Sequence, residues 1–220
     1  SNKFTNIEIA IQSAEFSVFT KSRNSNYVLN TSQPDTLIYN TKIDNLKQAY
    51  SFAYTHKISE QNILYCHSLI SKQLLSEHKL GKYRDSPIGV YSNNKLVFTP
   101  VNHKYIRSQI KSHLRYLNMT LKSKLSFLEL FYRVSVLHLN FVTIHPFCDG
   151  NGRMARLLDK WLLSRCLGDL FWSLPIEQYY SINWRYYYLL ILKSQKNPKA
   201  SSPFLQMLPR SLLFANLSSN

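Results

Sequence analysis

Twelve consecutive residues carry most of the chemistry this chain could do: His145-Pro146-Phe147-Cys148-Asp149-Gly150-Asn151-Gly152-Arg153-Met154-Ala155-Arg156. They combine a proton acceptor, a hard-oxygen carboxylate, a glycine-rich stretch and two arginines, a set suited to chemistry on a nucleotide phosphate. Proline disfavours helix in the residue before it, so His145 is expected at a helix end or a loop start. An imidazole there reaches solvent and titrates near neutral pH, as a general base needs. Asp149 is the kind of ligand that holds Mg²⁺ together with substrate phosphates. Gly150, Asn151 and Gly152 let the backbone approach a ligand and aim N–H groups at it. A helix is expected to begin here, so its positive end faces the same anion. Arg153 and Arg156, three apart, share a helix face from which both can reach a polyphosphate. Phe147 reads as the apolar anchor of the loop. Taken singly, each feature is ordinarily structural: a histidine before a proline, an Asp-Gly turn, two arginines on a solvated helix. Their order within one short run is what makes a site of them.

The flanking pattern fits that site. Phe127, Leu128, Leu130, Phe131, Val134, Leu137, Leu139, Phe141 and Val142 cover nearly every face of a helix over 126–143, which predicts a buried one. Leu157, Leu158, Trp161 and Leu162 give the next helix a single apolar stripe, and Gly168 supplies its stop. The run thus links a buried helix to the N-terminus of its successor. Further helical patterns appear near 5–16, 43–57, 59–77, 103–119 and 178–194. Residues 20–40 are polar and turn-rich. Ile88–Tyr91 and Leu96–Phe98 flank Ser92-Asn93-Asn94-Lys95 and read as a β-hairpin. Its edge could pair with an extended peptide, a bare connector being the plainer alternative.

Composition narrows the class. A chain of 220 residues with 45% hydrophobic content is long enough for one ordinary domain with its own core. Its 3 cysteines, at 66, 148 and 166, have no metal-binding spacing and fit a reducing compartment. No apolar run is read as a membrane span and no signal peptide is apparent, so no membrane partner is expected. The net charge is +15. Part of it, Lys104, Arg107, Lys111 and Arg115, lies along an amphipathic helix whose apolar side is Ile106, Ile110, Leu114 and Leu117. A solvated face explains this stripe better than a nucleic-acid interface, because no aromatic-interleaved groove accompanies it.

Residues 145–156 resemble the signature of the Fic family of nucleotidyl transferases, His-Pro-Phe-x-(Asp/Glu)-Gly-Asn-Gly-Arg-x-x-Arg, at every fixed position. The resemblance extends to His138 and Phe141 in the preceding helix, to Gly81-Lys82-Tyr83-Arg84 before the hairpin, and to Asn183-Trp184-Arg185-Tyr186-Tyr187. It covers roughly residues 40–195. It implies an all-α domain with a small hairpin flap: an N-terminal helix and loop over 1–40, a core over 41–195 with flap 81–100 and motif 145–156, and a C-terminal tail over 196–220, a stretch whose apolar patches between prolines also read as a short final helix packed on the domain. It implies ATP as co-substrate and Mg²⁺ as cofactor. His145 would take the proton from a Tyr, Thr or Ser hydroxyl of a target protein, and AMP would pass to that oxygen. Asp149 would hold the metal, Gly150, Asn151 and Gly152 would cradle the phosphates, and Arg153 and Arg156 would grip their far end. Asn183 and Tyr187 would wall the nucleotide, while Ile88, Val90 and Val97 would align the target segment.

One departure from the family concerns self-inhibition, which many members achieve with a (Ser/Thr)-x-x-x-Glu-(Gly/Asn) helix. Five of the six glutamates have no Ser or Thr four residues earlier. Glu177 has Ser173 but is followed by Gln178, and Glu15 is at best a degenerate form. A chain active alone, or held by a small antitoxin-like protein, is therefore expected. Relatives that transfer UMP, phosphocholine or phosphate, and a non-catalytic basic module, are the alternatives. The expected location is a bacterial cytoplasm or a host cell into which the protein is delivered.

Overall fold

The structure is a computed structural model that describes residues 35–92 and 95–217. The expected helix at 5–16, and Glu15 with it, lie outside the described residues.

Two helices open the fold. Helix α1 (Asp35–Thr55) begins inside the stretch expected to be loop, and α2 (Glu60–Ser71) packs against it. Their shared seam is Leu46, Ala49, Tyr50 and Ala53 against Ile63, Cys66 and Ile70, all buried. Ser59 caps α2 by accepting the N–H of Asn62 at 3.2 Å. The helix stops six residues earlier than the periodicity predicts. Asn45 of α1 donates its amide to the Lys72 carbonyl at 2.6 Å, and Gln73 turns left-handed at φ 60°.

Strands β1 (Val90–Ser92) and β2 (Lys95–Phe98) pair antiparallel as the hairpin, with an irregularity between Val90 and Tyr91. Helix α3 (Ile106–Lys122) follows. It buries Ile106, Ile110 and Leu117 and leaves Arg107, Lys111 and Arg115 exposed, so the basic stripe is a solvent face. It lies antiparallel to α4 (Phe127–Ile144), with His113 bonded to Asn140 and Arg133 over the Tyr116 ring.

Helix α4 is the centre of the domain. Ser126 and Glu129 form a reciprocal capping box at its start. By length and composition α4 is apolar enough to cross a membrane, contrary to the reading that no run is. In the fold it is the core helix, with Leu130, Phe131, Val134, Leu137, Phe141 and Ile144 buried. Its first turn differs from expectation: Phe127 and Leu128 are 51% and 73% exposed. Helix α5 (Asn151–Leu167) packs along α4 and ends at Gly168.

The single helix expected over 178–194 is two, α6 (Ile176–Ile182) and α7 (Trp184–Lys196). The break is Asn183, whose side-chain amide donates to the Tyr179 carbonyl at 2.9 Å, a local bond that competes with helix continuation. The segment after 196 takes the second of its two expected forms, helix packed on the domain. Helices α8 (Ser202–Leu205) and α9 (Met207–Leu217) bury Phe204, Met207 and Leu208 against the rest of the core.

Candidate active site

The twelve-residue run occupies the corner between α4 and α5, and three neighbouring segments fix its shape. His145 is the C-cap of α4, its N–H bonded to the Phe141 carbonyl at 2.9 Å and its backbone left-handed at φ 52°, ψ 60°. Its Nδ1–H donates to the Val142 carbonyl at 3.3 Å, which leaves the ring lone pair on Nε2. The imidazole is half-buried.

Phe147 is fully buried and stacks on the ring of His67, centroids 3.7 Å apart and planes 7° from parallel. His67 in turn holds both sides of the corner. The Gly81 N–H donates to its Nδ1 at 3.1 Å, so its own proton sits on Nε2 and points to the Asp149 carbonyl at 3.1 Å. Burial pushes the His67 pKa down to about 4, more strongly than the Asp149 carbonyl raises it, so the ring is neutral near pH 7. Asn151, also buried, closes the loop on itself. It accepts the Phe147 N–H and donates to the Phe147 carbonyl, both at 2.9 Å.

Two glycines are required by this packing. Gly150, the N-cap of α5, has φ 79°, and a Cβ there would lie 3.3 Å from Ser71 Oγ. Gly81 has φ 64°, and its Cβ would collide with the Leu64 carbonyl oxygen at 2.8 Å. The first turn of α5 thus begins at Gly150-Asn151-Gly152, packed against Ser71 and His67, and the leading N–H groups of a helix favour an anion.

The charged residues divide. Arg153 is 8% exposed, donating to the Ile70 carbonyl at 2.9 Å and to Asp149 Oδ2 at 3.1 Å. The Asp149 side chain is 32% exposed at the mouth. Arg156, one turn on, is turned inward and bonds the Tyr187 hydroxyl. Tyr187 is itself buried and bonded to His138 at 2.8 Å, and His138 donates to Asp159 at 2.6 Å. Beyond them Lys160 and Glu177 form an ion pair at 2.8 Å, and Tyr50 donates to the same glutamate. The corner thus gathers His145, Asp149, Gly150, Asn151, Gly152 and Arg153. Tyr187 lies behind α5, and Asn183 is occupied as the cap of α6. Ile88 and Val90 are half-buried before and at the start of the hairpin, and Val97 falls in β2.

Sequence reasoning passed over His67 altogether and gave Arg84 no task. Nothing in the spacing marks His67. Arg84 stood in a visible Gly-Lys-Tyr-Arg run, and its partners are described below.

Among the described residues no three His, Cys, Asp or Glu side chains are grouped to hold a metal by themselves. Asp149 alone fits Mg²⁺, which commonly takes one or two carboxylates and completes its shell with phosphate oxygens and water.

A helical domain with this corner between its two central helices has the Fic-type fold. The model of the Fic/DOC family matches residues 57–163, the segment that carries the corner. Protein adenylyltransferase fic-1 of Caenorhabditis elegans is 38% identical over 68 residues, which are 31% of this chain and 13% of that protein. Its Caenorhabditis briggsae counterpart is 32% identical over 110 residues, 50% of this chain and 20% of that protein. The chain thus spans a fifth or less of these curated relatives. A Fic family protein from Desulfovibrio desulfuricans G20 superposes with a TM-score of 0.75 at 20% identity, covering 97% of this chain and 66% of that one. BepC of Bartonella tribocorum, solved with AMPPNP, gives 0.57 at 16% identity, covering 80% and 86%. At these identities the two structures speak for the fold alone.

Proposed function

We propose that the chain is a Fic-type transferase that moves AMP from ATP to a Tyr, Thr or Ser hydroxyl of a target protein. The observation that carries this reading is His145: its Nδ1–H donates to the Val142 carbonyl, which puts the ring lone pair on Nε2, in the same corner as the glycine-lined start of α5. In the reaction the target oxygen forms a bond to the α-phosphorus while the bond from that phosphorus to the bridging oxygen breaks. The hydroxyl proton goes to His145 Nε2, and pyrophosphate leaves. Such transfers depend on positioning and charge neutralisation more than on covalent help. The first-turn N–H groups of α5 and the Arg153 guanidinium receive phosphate oxygens, with the Arg156 charge one turn behind. Mg²⁺, held by Asp149, would neutralise phosphate charge. The adenylyltransferase names of the nematode relatives support the choice of donor. The intact Gly150-Asn151-Gly152 favours AMP over bare phosphate.

The test is label transfer from α- and γ-labelled ATP, run in parallel on the protein itself and on a lysate. Transfer of α-label, with His145→Ala slower by about 10²–10⁴-fold, is the expected result. Transfer of γ-label instead would make it a kinase.

A further inference from the structure

Arg84 is 4% exposed, and every hydrogen bond of its guanidinium goes to a backbone carbonyl. Nε donates to His145 at 2.8 Å, Nη1 to Ser86 at 3.0 Å, and Nη2 to Val101 and, at 3.4 Å, to Ile144. Its own N–H adds a bond to the Pro146 carbonyl at 2.9 Å. Among the described residues no carboxylate pairs with it. One rigid planar fork therefore meets three pieces of chain. Ser86 lies just before the hairpin, Val101 just after it, and Ile144 and His145 are the last carbonyls of α4.

A buried cation with only carbonyl partners is an uncommon choice if the aim is stability alone, because its charge is left without a counter-ion. Two features make sense of it. The carbonyl end of α4 is the negative end of that helix, so a cation there is favoured. The fork also fixes angles. Five donors in one plane set the directions of the bonded carbonyls relative to one another, which a lysine ammonium cannot do. The left-handed turn at His145 is held on one side by the bond to its carbonyl and on the other by its ring bond to Val142.

We propose that Arg84 is a positioning residue that locks both roots of the hairpin and the backbone of His145 into one frame. A protein segment docked on the hairpin then arrives in register with Nε2. This rests on the transferase reading for its consequence but not for its geometry. Arg84 touches no reacting atom; it acts through His145 and the hairpin.

The test uses the full chain with Arg84→Lys, which keeps the charge, and Arg84→Ala. For Arg84→Lys the expected result is a native melting profile, ATP affinity within about twofold of wild type, and kcat for transfer to the protein target down by about 10²-fold, the loss associated with roughly 1 Å of misplacement. The KM for target should rise while that for ATP stays. Amide hydrogen exchange should quicken together at 86–101 and at 144–147. Millimolar guanidinium should partly restore transfer in Arg84→Ala. Unchanged transfer in Arg84→Lys, or a parallel loss of ATP affinity and transfer, overturns the proposal, since the first denies any role and the second describes general damage. If the wild type transfers nothing, the transferase reading fails by itself and exchange decides: coupled quickening of the two segments upholds the frame, and quickening of one alone removes it.

Discussion

The two sides of α5 handle charge in opposite ways. In front, at its first turn, the loop is shaped by the stacked and uncharged His67, by the Asn151 amide and by one buried cation, Arg84, whose partners are carbonyls and not a carboxylate. Of the other charges there, Asp149 keeps 32% of its side chain in solvent while Arg153, at 8%, is buried beside it. Behind, two turns further on, Lys160, Glu177, Asp159 and His138 are almost wholly excluded from water and paired with one another. Burial pushes the Asp159 carboxyl up against the pull of His138, and pushes the Lys160 amine down against Glu177. The rear cluster is a matter of folding, and the front is a matter of reach. Damage behind α5 should lower stability, whereas damage in front should lower transfer with less effect on stability.

The largest expected effect comes from the rear. Glu177→Ala leaves Lys160 buried without a partner, and the fold should lose about 3–5 kcal/mol in urea titration. Replacing both, Lys160→Met with Glu177→Leu, should recover most of it. If the double variant is as weak as the single one, the cluster is not the closed ion pair described. A smaller effect belongs to acid. His67 and His113 are both held near 4 by burial, below the ordinary value of about 6.5. The folded state therefore binds these protons less tightly than the unfolded chain. Stability is complete above about pH 6.5 and falls as pH drops toward 4, by up to roughly 3 kcal/mol for each histidine. His67→Asn should melt with a shallower pH dependence over that window. An unchanged slope would remove His67 as a source of acid lability.

The corner itself was legible in the sequence because its chemistry is local: base, carboxylate, glycines and arginines lie within one run. The central helices were legible for a similar reason, since their apolar stripes repeat within a few residues. What holds the corner was not. His67 meets Asp149 across 82 positions, Arg84 meets His145 across 61, and Tyr50 meets Glu177 across 127. No spacing rule connects such pairs. The break at Asn183 is not marked in the sequence because an apolar pattern continues through it, and what distinguishes the residue is its non-helical backbone and its side-chain bond to Tyr179. The C-terminal segment left a tail and a packed helix both open because its prolines interrupt the periodicity, yet Pro203 sits in the first turn of α8, where proline is tolerated.

The left-handed backbone of His145 has a last consequence. Residues with a Cβ seldom adopt φ near 52°, and doing so costs on the order of 1 kcal/mol, while asparagine and glycine tolerate it better. The position is thus a small reserve of strain kept for the sake of an imidazole. His145→Gly is expected to melt slightly higher than the wild type, by roughly 2–4 °C, while transfer is lost. At this one residue the most stable form of the protein and the active form are different sequences.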